Sequence, residues 1–420
     1  KTWWLAQSNF AKGSLFNVNI PPLERGPIQG VRVMPQNVSV YEEKFDRRVN
    51  PRGRTYFWAS PEFTCPEPHP DTDVDALADG YTLVTRDTQG DPTKAVNAVQ
   101  ELINRAKVHA VFGPTNSGEA LATTPILARV KIPTLTAGVV DSLIDPTKFP
   151  NAFRVAASNT QWDDAVRNYT LKIVKAKKVA ITADATGYGT SAVQASLASF
   201  KKDGAEIVFD SVIDATQTDV MPDMLRMRNS GADVLVSWTV SSGMAARQMN
   251  ARASMGWDVP IVGHPALGTG DIARLLDKPA NWEKVYMIGY RSSSYDASGK
   301  LPPRAQALVD MVRGKIQLDD TLLWWVLSGV DAVNLIADAV KESKGDSSPD
   351  AIIAYLNSLK GYPGVFGTYR FSPESHNGFP AEEVVMSCAM RIRQQALEEG
   401  LEQGMQQGMR QGMQQGLRQG

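Results

Sequence analysis

Residues 108–124 read VHAVFGPTNSGEALATT: an apolar run that stops at Gly113 and Pro114, a polar turn, and an amphipathic segment that begins near Ser117. The order is strand, tight loop, helix N-terminus. The first N–H groups of a helix have no intrahelical partner and the helix dipole adds partial positive charge, so such a junction favours an anion. Asn116 and Ser117 are therefore candidate carboxylate ligands, beside the plainer alternative that Ser117 only caps the helix.

The same grammar repeats outward from this stretch. Apolar runs recur as IPTLTA (132–137), KVAITA (178–183), EIVFDSVI (206–213), ADVLVSW (232–238), VPIVG (259–263) and VYMIGY (285–290). Helical segments follow most of them, among them TSAVQASLASFKK (190–202), MPDMLRMRNSG (221–231) and SGMAARQMNARASMG (242–256). Strand–helix–strand alternation implies parallel sheets with right-handed crossovers, and nearly continuous β-branched runs fit strands covered on both faces. About 300 residues of this pattern exceed what one sheet absorbs, so two α/β lobes are expected.

Ligands bind at the carboxyl ends of strands in open α/β sheets. Thr136, Ala137 and Gly138 occupy such an end, where small residues let a ligand approach the backbone. Tyr188, Trp238 with Ser241, and His264 follow later strands in the same way. Each of these four also reads as an ordinary loop residue. GYGTSA (187–192) and GTGDIA (268–273) match G-x-G-x-x-A, the dinucleotide fingerprint, but residues intervene between each strand and its first glycine. Catalytic patterns are thin. His69, His109, His264 and His376 are dispersed, no metal-ligand spacing occurs, and neither a nucleophile elbow nor a phosphate loop is present. The pairs Asp163–Asp164 and Asp319–Asp320 read as helix-start acids. LLWWV (322–326) opens a long apolar helix that reads as core.

Composition narrows the function classes. Among 420 residues, 44 Lys and Arg balance 45 Asp and Glu for a net charge of -1, which removes the electrostatic case for a nucleic-acid partner. The two cysteines, Cys65 and Cys388, make no disulfide framework. No apolar run approaches the roughly 20 residues that span a bilayer, and no export signal is visible. Because the chain begins at Lys1, that last point says little about the address of the parent protein.

Texture changes near residues 86 and 390. Residues 1–86 are Pro-rich and irregular, with strand-like SLFNVNI (14–20), GVRVMPQNVSVYEEKF (30–45) and PRGRTYFW (51–58). From 391 the chain becomes RIRQQALEEGLEQGMQQGMRQGMQQGLRQG. Its four-residue period advances about 40° per repeat on an α-helix, so no apolar face is kept. A solvated, frayed tail and a self-association segment are the two readings.

Taken in order, QGDPTKAV (89–96), VFGPTNSGEA (111–120), IPTLTAG (132–138), FRVAASNTQWDDA (153–165), GYGTSAV (187–193), MGWDVPIVGHP (255–265) and FGTYRFSPESHNG (366–378) resemble the type I periplasmic solute-binding proteins of branched-chain amino acid and amide ABC transporters. The resemblance implies a two-lobe α/β receptor for a small amino acid or amide, a permease as partner, a periplasmic address, and no cofactor or metal. It places lobe 1 at about 87–157 and 286–345, and lobe 2 at about 158–285 and 346–388. It makes Ser117 and the backbone at Thr136 and Ala137 the ligand's polar contacts, with Tyr188 as its cover. Residues 10–86, through GSLFNVNIPPL, GVRVMPQNVSVYEEKFDRRVNPRGRTYFW and DTDVDALADGYTLVT, resemble instead the C-terminal part of SurE, a metal-dependent nucleotidase and phosphatase family whose Asp-Asp-Gly metal motif has no counterpart here. That segment implies an oligomer contact, and an enzyme is the alternative class. The tail resembles the Gln/Gly-rich ends of Rpn-type recombination-promoting nucleases. The chain thus reads as a mosaic in which the receptor lacks its first strand and helix, with SLFNVNI as the candidate to fill the vacant strand position.

Overall fold

The computed structural model describes residues 84–388, except 270, 297, 314–317 and 319–322, together with four short strands nearer the N-terminus. The tail from 389 onward, and Asp319 and Asp320, lie outside the described residues. The four short strands are β1 (Trp3–Leu5), β2 (Phe16–Val18), β3 (Phe45–Val49) and β4 (Thr55–Ala59), and they form two separate antiparallel pairs. The strand inside SLFNVNI therefore pairs with Trp3–Leu5. The expectation that it completes the receptor's first sheet is corrected.

That first sheet is three-stranded and parallel, in the order β5 (Val111–Phe112), β6 (Thr134–Thr136), β7 (Ala152–Arg154). Phe112 lies opposite Leu135, and Leu135 opposite Phe153. Helix α1 (Pro92–Glu101) precedes it, capped by Asp91, and α2 (Ser117–Arg129) follows β5. Val99, Val111, Leu127 and Ile132 close the space between helix and sheet.

The second sheet has six strands in the order β15-β12-β11-β10-β8-β9. These are β8 (Lys178–Asp184), β9 (Glu206–Ile213), β10 (Val234–Ser237), β11 (Ile261–Gly263), β12 (Val285–Tyr290) and the antiparallel β15 (Val384–Cys388). Helices α3 (Asn159–Asn168), α4 (Gly187–Lys202), α5 (Met221–Asn229) and α6 (Ser242–Ser254) supply the crossovers and cover. The seven apolar runs each became a strand, and the parallel α/β class is as expected. β7 was not among those runs: it is three residues long and ends in an arginine, which breaks the hydrophobic signal.

After β12 the chain returns to the first sheet through α7 (Pro303–Val312), α8 (Leu323–Glu342) and α9 (Pro349–Asn357). The short hairpin β13 (Tyr362–Pro363) and β14 (Thr368–Tyr369) follows. Residues 349–378 pack against the first sheet, not the second as the sequence division placed them. The Arg154 N–H donates to the His376 carbonyl at 2.9 Å, and Phe371 meets Phe153 edge-on at 5.3 Å. Only β15 crosses back.

Helix α8 has the length and hydropathy of a bilayer span, which the run-length reading did not foresee. It is a core helix instead: Leu323, Leu327, Leu335 and Val340 are buried. Its central Asp331 accepts hydrogen bonds from Val365 N, Phe366 N and the Tyr369 hydroxyl at 2.7, 2.8 and 2.9 Å. Asp163 and Asp164 are corrected as well. The start of α3 is capped by a Ser158–Gln161 capping box. Asp163 sits further along, accepting from Ser196 Oγ and from Arg167, while Asp164 also takes an Arg167 bond.

Candidate ligand-binding cleft

At the first sheet's strand ends, Asn116 is the residue that caps α2: its Oδ1 accepts from Gly118 N at 2.8 Å. Ser117 is left to the first helical position, 4% exposed, and its Oγ accepts from Val139 N at 3.1 Å. Because the oxygen is used as an acceptor, the hydroxyl proton remains for a ligand. Thr136 joins the two loops. Its hydroxyl donates to the Pro114 carbonyl at 2.8 Å and accepts from Gly138 N at 2.9 Å. Ala137 is fully buried beneath, and a Cβ on Gly138 would come within 2.9 Å of Leu143 Cδ1 and 3.1 Å of Thr136 Oγ1, so a larger residue there has to displace Leu143.

At the second sheet's strand ends, α4 begins beyond β8 with Thr186 as its cap, which places Tyr188 in its first turn. The ring of Tyr188 lies 5.9 Å from Trp162 and 5.2 Å from His264. Its hydroxyl is buried without a hydrogen-bond partner, and burial holds its pKa well above the usual phenol value. A buried polar atom with no partner is costly, and a ligand would relieve it. His264 Nδ1 accepts from Ala266 N at 3.0 Å, which puts the proton of the neutral ring on Nε2. Burial lowers the His264 pKa to about 3.

The two groups meet. A Cβ at Gly187, in α4, would lie 3.7 Å from Gly118 Cα in α2, so two helix N-termini from opposite sheets face each other at close range. Ala120, Ala137, Trp162 and Tyr188 belong to one continuous apolar cluster. Trp162 donates its indole N–H to the Tyr290 hydroxyl at 2.9 Å, and Tyr290 stacks obliquely on Trp324 at 5.2 Å. LLWWV reads as core, and Trp324, within it, approaches Trp162 edge-on at 6.4 Å.

Two candidates have other partners. Trp238 is fully buried and donates its indole N–H to Ser196 Oγ at 2.8 Å, toward α4. Ser241 caps α6, its Oγ accepting from Met244 N at 3.2 Å. Sequence reasoning missed Asp184, which gathers the strand ends of the second sheet: it accepts from Thr186 Oγ1 and Thr239 Oγ1, both at 2.8 Å, and from Val240 N and Ser241 N at 2.7 and 3.2 Å. One glycine of each fingerprint-like segment serves packing. A Cβ at Gly189 would meet the Asp184 carbonyl at 2.2 Å, and one at Gly268 would meet Met287 Sδ at 1.8 Å. Among the described residues, no group of three or more His, Cys, Asp and Glu is placed to hold a metal ion.

Two α/β sheets whose flanking helices meet end to end at Gly118 and Gly187, beside the packed rings of Trp162, Tyr188 and His264, define a two-lobe fold. The chain belongs to the periplasmic binding protein family, whose profile matches residues 80–386. Among solved structures it is similar to a leucine-binding protein from Thermotoga maritima, at TM-score 0.62 and 18% identity, covering 73% of this chain and 82% of that one. The branched-chain amino acid binding protein LivJ from Streptococcus pneumoniae, in complex with isoleucine, gives 0.61 and 23%, covering 71% and 82%. A solute-binding protein of an ABC transporter from Rhodopseudomonas palustris, in complex with 4-hydroxybenzoate, gives 0.61 and 22%, covering 71% and 80%. At these identities the likeness is one of fold. A separate part of the chain is similar to the 5'-nucleotidase SurE of Christiangramia forsetii, 43% identical over 72 residues, and to that of Cytophaga hutchinsonii, 42% over 77. These stretches are 17% and 18% of this chain, which spans only 28% and 30% of the two nucleotidases.

Proposed function

We propose that residues 87–388 form a periplasmic receptor for a small amino acid or amide, which it delivers to the permease of an ABC transporter. The observation that supports this reading most is the close approach of the α2 and α4 N-termini at Gly118 and Gly187, next to the Tyr188 hydroxyl, which has no hydrogen-bond partner, and the His264 ring packed against Tyr188. The free Ser117 proton and the α2 N-terminus receive the ligand's carboxylate or amide oxygen. Trp162, Tyr188 and His264 enclose its apolar body. Ligand-bound relatives of this fold hold isoleucine in one case and 4-hydroxybenzoate in another, so both chemistries belong in the test.

A thermal-shift series with L-leucine, L-isoleucine, small amides and 4-hydroxybenzoate checks it. A ligand at about 100 times its Kd stabilises the folded state by about 2.7 kcal/mol, which reads as a clear rise in melting temperature. No rise with any of these overturns the receptor reading. The similarity to SurE supplies a second reading, metal-dependent phosphate release from a nucleotide. Incubating the whole chain with AMP and Mn²⁺ tests it, and absence of released phosphate rejects it.

A further inference from the structure

Arg154 ends β7 in the floor of the first lobe, and its side chain is completely buried. A buried guanidinium is expensive unless its donors are met, and here Nε and Nη2 are turned onto one short loop while Nη1 is left with an ion pair and no hydrogen bond. Nε donates to the Gly138 carbonyl at 2.9 Å, Nη2 donates to the Val140 carbonyl, and Nη1 lies 3.6 Å from the half-exposed Asp141 carboxylate. Asp141 is itself tied to α3 by the Thr160 hydroxyl, at 2.9 Å. The two carbonyls that Arg154 holds flank Val139. The Val139 carbonyl accepts from Asn159 N at 2.6 Å, and its N–H is the group that donates to Ser117 Oγ. With that lone pair occupied, the hydroxyl proton of Ser117 is left to point elsewhere.

We propose that Arg154 is a positioning residue for ligand capture: by fixing the carbonyls on both sides of Val139 it aims the Val139 N–H at one lone pair of Ser117 Oγ and so orients the Ser117 hydroxyl, whose proton is turned to the ligand. This role rests on the receptor reading above. It also accounts for an arginine in a strand whose other two residues, Ala152 and Phe153, are apolar and buried. A hydrophobic residue would fill the volume and leave two buried carbonyls unpaired.

Two measurements test it, and the first needs no ligand. Hydrogen exchange, followed by mass spectrometry on the full chain, is compared in wild type, Arg154→Lys and Asp141→Asn. Peptides covering 137–141 exchange at least about tenfold faster in Arg154→Lys and less so in Asp141→Asn, while peptides covering β8 stay unchanged. Unchanged exchange at 137–141, or an equal rise in β8, overturns the proposal. If Arg154→Lys does not fold, Asp141→Asn decides by the same criterion. The second measurement is calorimetric titration with L-isoleucine and 4-hydroxybenzoate in a double-mutant cycle with Ser117→Ala. Arg154→Lys weakens binding about tenfold on the wild-type background and adds little on the Ser117→Ala background. Equal losses on both backgrounds overturn the proposal. If neither probe binds wild type, the receptor reading is what has failed for these ligands, and the exchange result alone decides Arg154.

Discussion

The six-stranded sheet buries β8, β10 and β11 almost completely, and most of its helical cover comes from the 159–254 stretch beside it in sequence, while β9 keeps Glu206, Asp210 and Val212 exposed. The three-stranded sheet is different. Its ladders pair only two or three residues, β5 has no partner strand on its second side among the described residues, and beyond the local cover of α1 and α2 it packs against residues 323–379, far along the chain. One half is held by local apolar burial. The other is held by long-range packing together with polar ties: Asp331 on the 365–367 backbone, His376 on Ala152, and Arg154 on the 138–141 loop. The comparison teaches that the half carrying Ser117 is the one whose integrity depends on residues brought from elsewhere, so damage to those ties is felt first at the ligand loop.

The sharpest way to break this contrast is Phe153→Ala. Phe153 is fully buried, stacked on His376 at 4.1 Å and edge-on to Phe371 at 5.3 Å, so it joins the small sheet to its distant cover. Its truncation costs about 3–5 kcal/mol. Urea unfolding followed by fluorescence is expected to split into two steps, with the larger sheet surviving the first. A single cooperative transition at a lower midpoint would show that the halves share one folding unit. Next in size is Asp331→Ala, which leaves three backbone N–H groups and the Tyr369 hydroxyl without their acceptor. The expected loss is about 2–3 kcal/mol in the same assay.

How much of this was legible in the sequence differs between the halves for physical reasons. Strands buried on both faces announce themselves as apolar runs, and β8 to β12 were read directly. β7 was hidden, because a functional arginine interrupts it. The strand-end rule singled out Ser117, Thr136, Ala137, Gly138, Tyr188 and His264, which lie at strand ends or in the first turns of the helices that follow. It could not tell which way a side chain turns: Trp238 obeys the rule equally and points at Ser196. Trp162 and Tyr290 were missed because an aromatic on a helix face or in a strand reads as core until its neighbours are known. The place of 349–378 was also beyond sequence reading, since nothing local in that segment records that it caps β7.

A third prediction concerns acid. His264 titrates near 6.5 when unfolded but is held to about 3 by burial in the fold. Its folded pKa is depressed, so below pH 6.5 the unfolded chain takes up a proton that the folded chain refuses. The stability it permits is full above pH 6.5 and falls by about 1.4 kcal/mol per unit as the pH drops from there toward 3. Asp331 acts in the opposite sense, because burial raises its carboxyl to about 6. The difference between the pH–stability curves of wild type and His264→Phe isolates the imidazole. Parallel curves from pH 7 to 4 would show that the ring is not desolvated.

The smallest effects discriminate between the two sets of strand ends most directly. Asn116 and Ser241 are both helix caps, one on α2 and one on α6, and replacing either by Ala costs about 1 kcal/mol of stability. Equal costs are expected because each removes one acceptor from a first-turn N–H. The binding consequences are expected to part. Asn116→Ala loosens the turn that sets Ser117 and the N-terminus of α2, so affinity for whichever probe binds wild type falls severalfold. Ser241 donates its backbone N–H to Asp184 and lies outside the Ser117–Tyr188–His264 group, so Ser241→Ala leaves affinity unchanged. Paired melting and titration curves for the two variants read this out. If Ser241→Ala weakens binding as much as Asn116→Ala does, the site extends to the end of β10, and the strand-end rule was right about Ser241 where the geometry sets it apart.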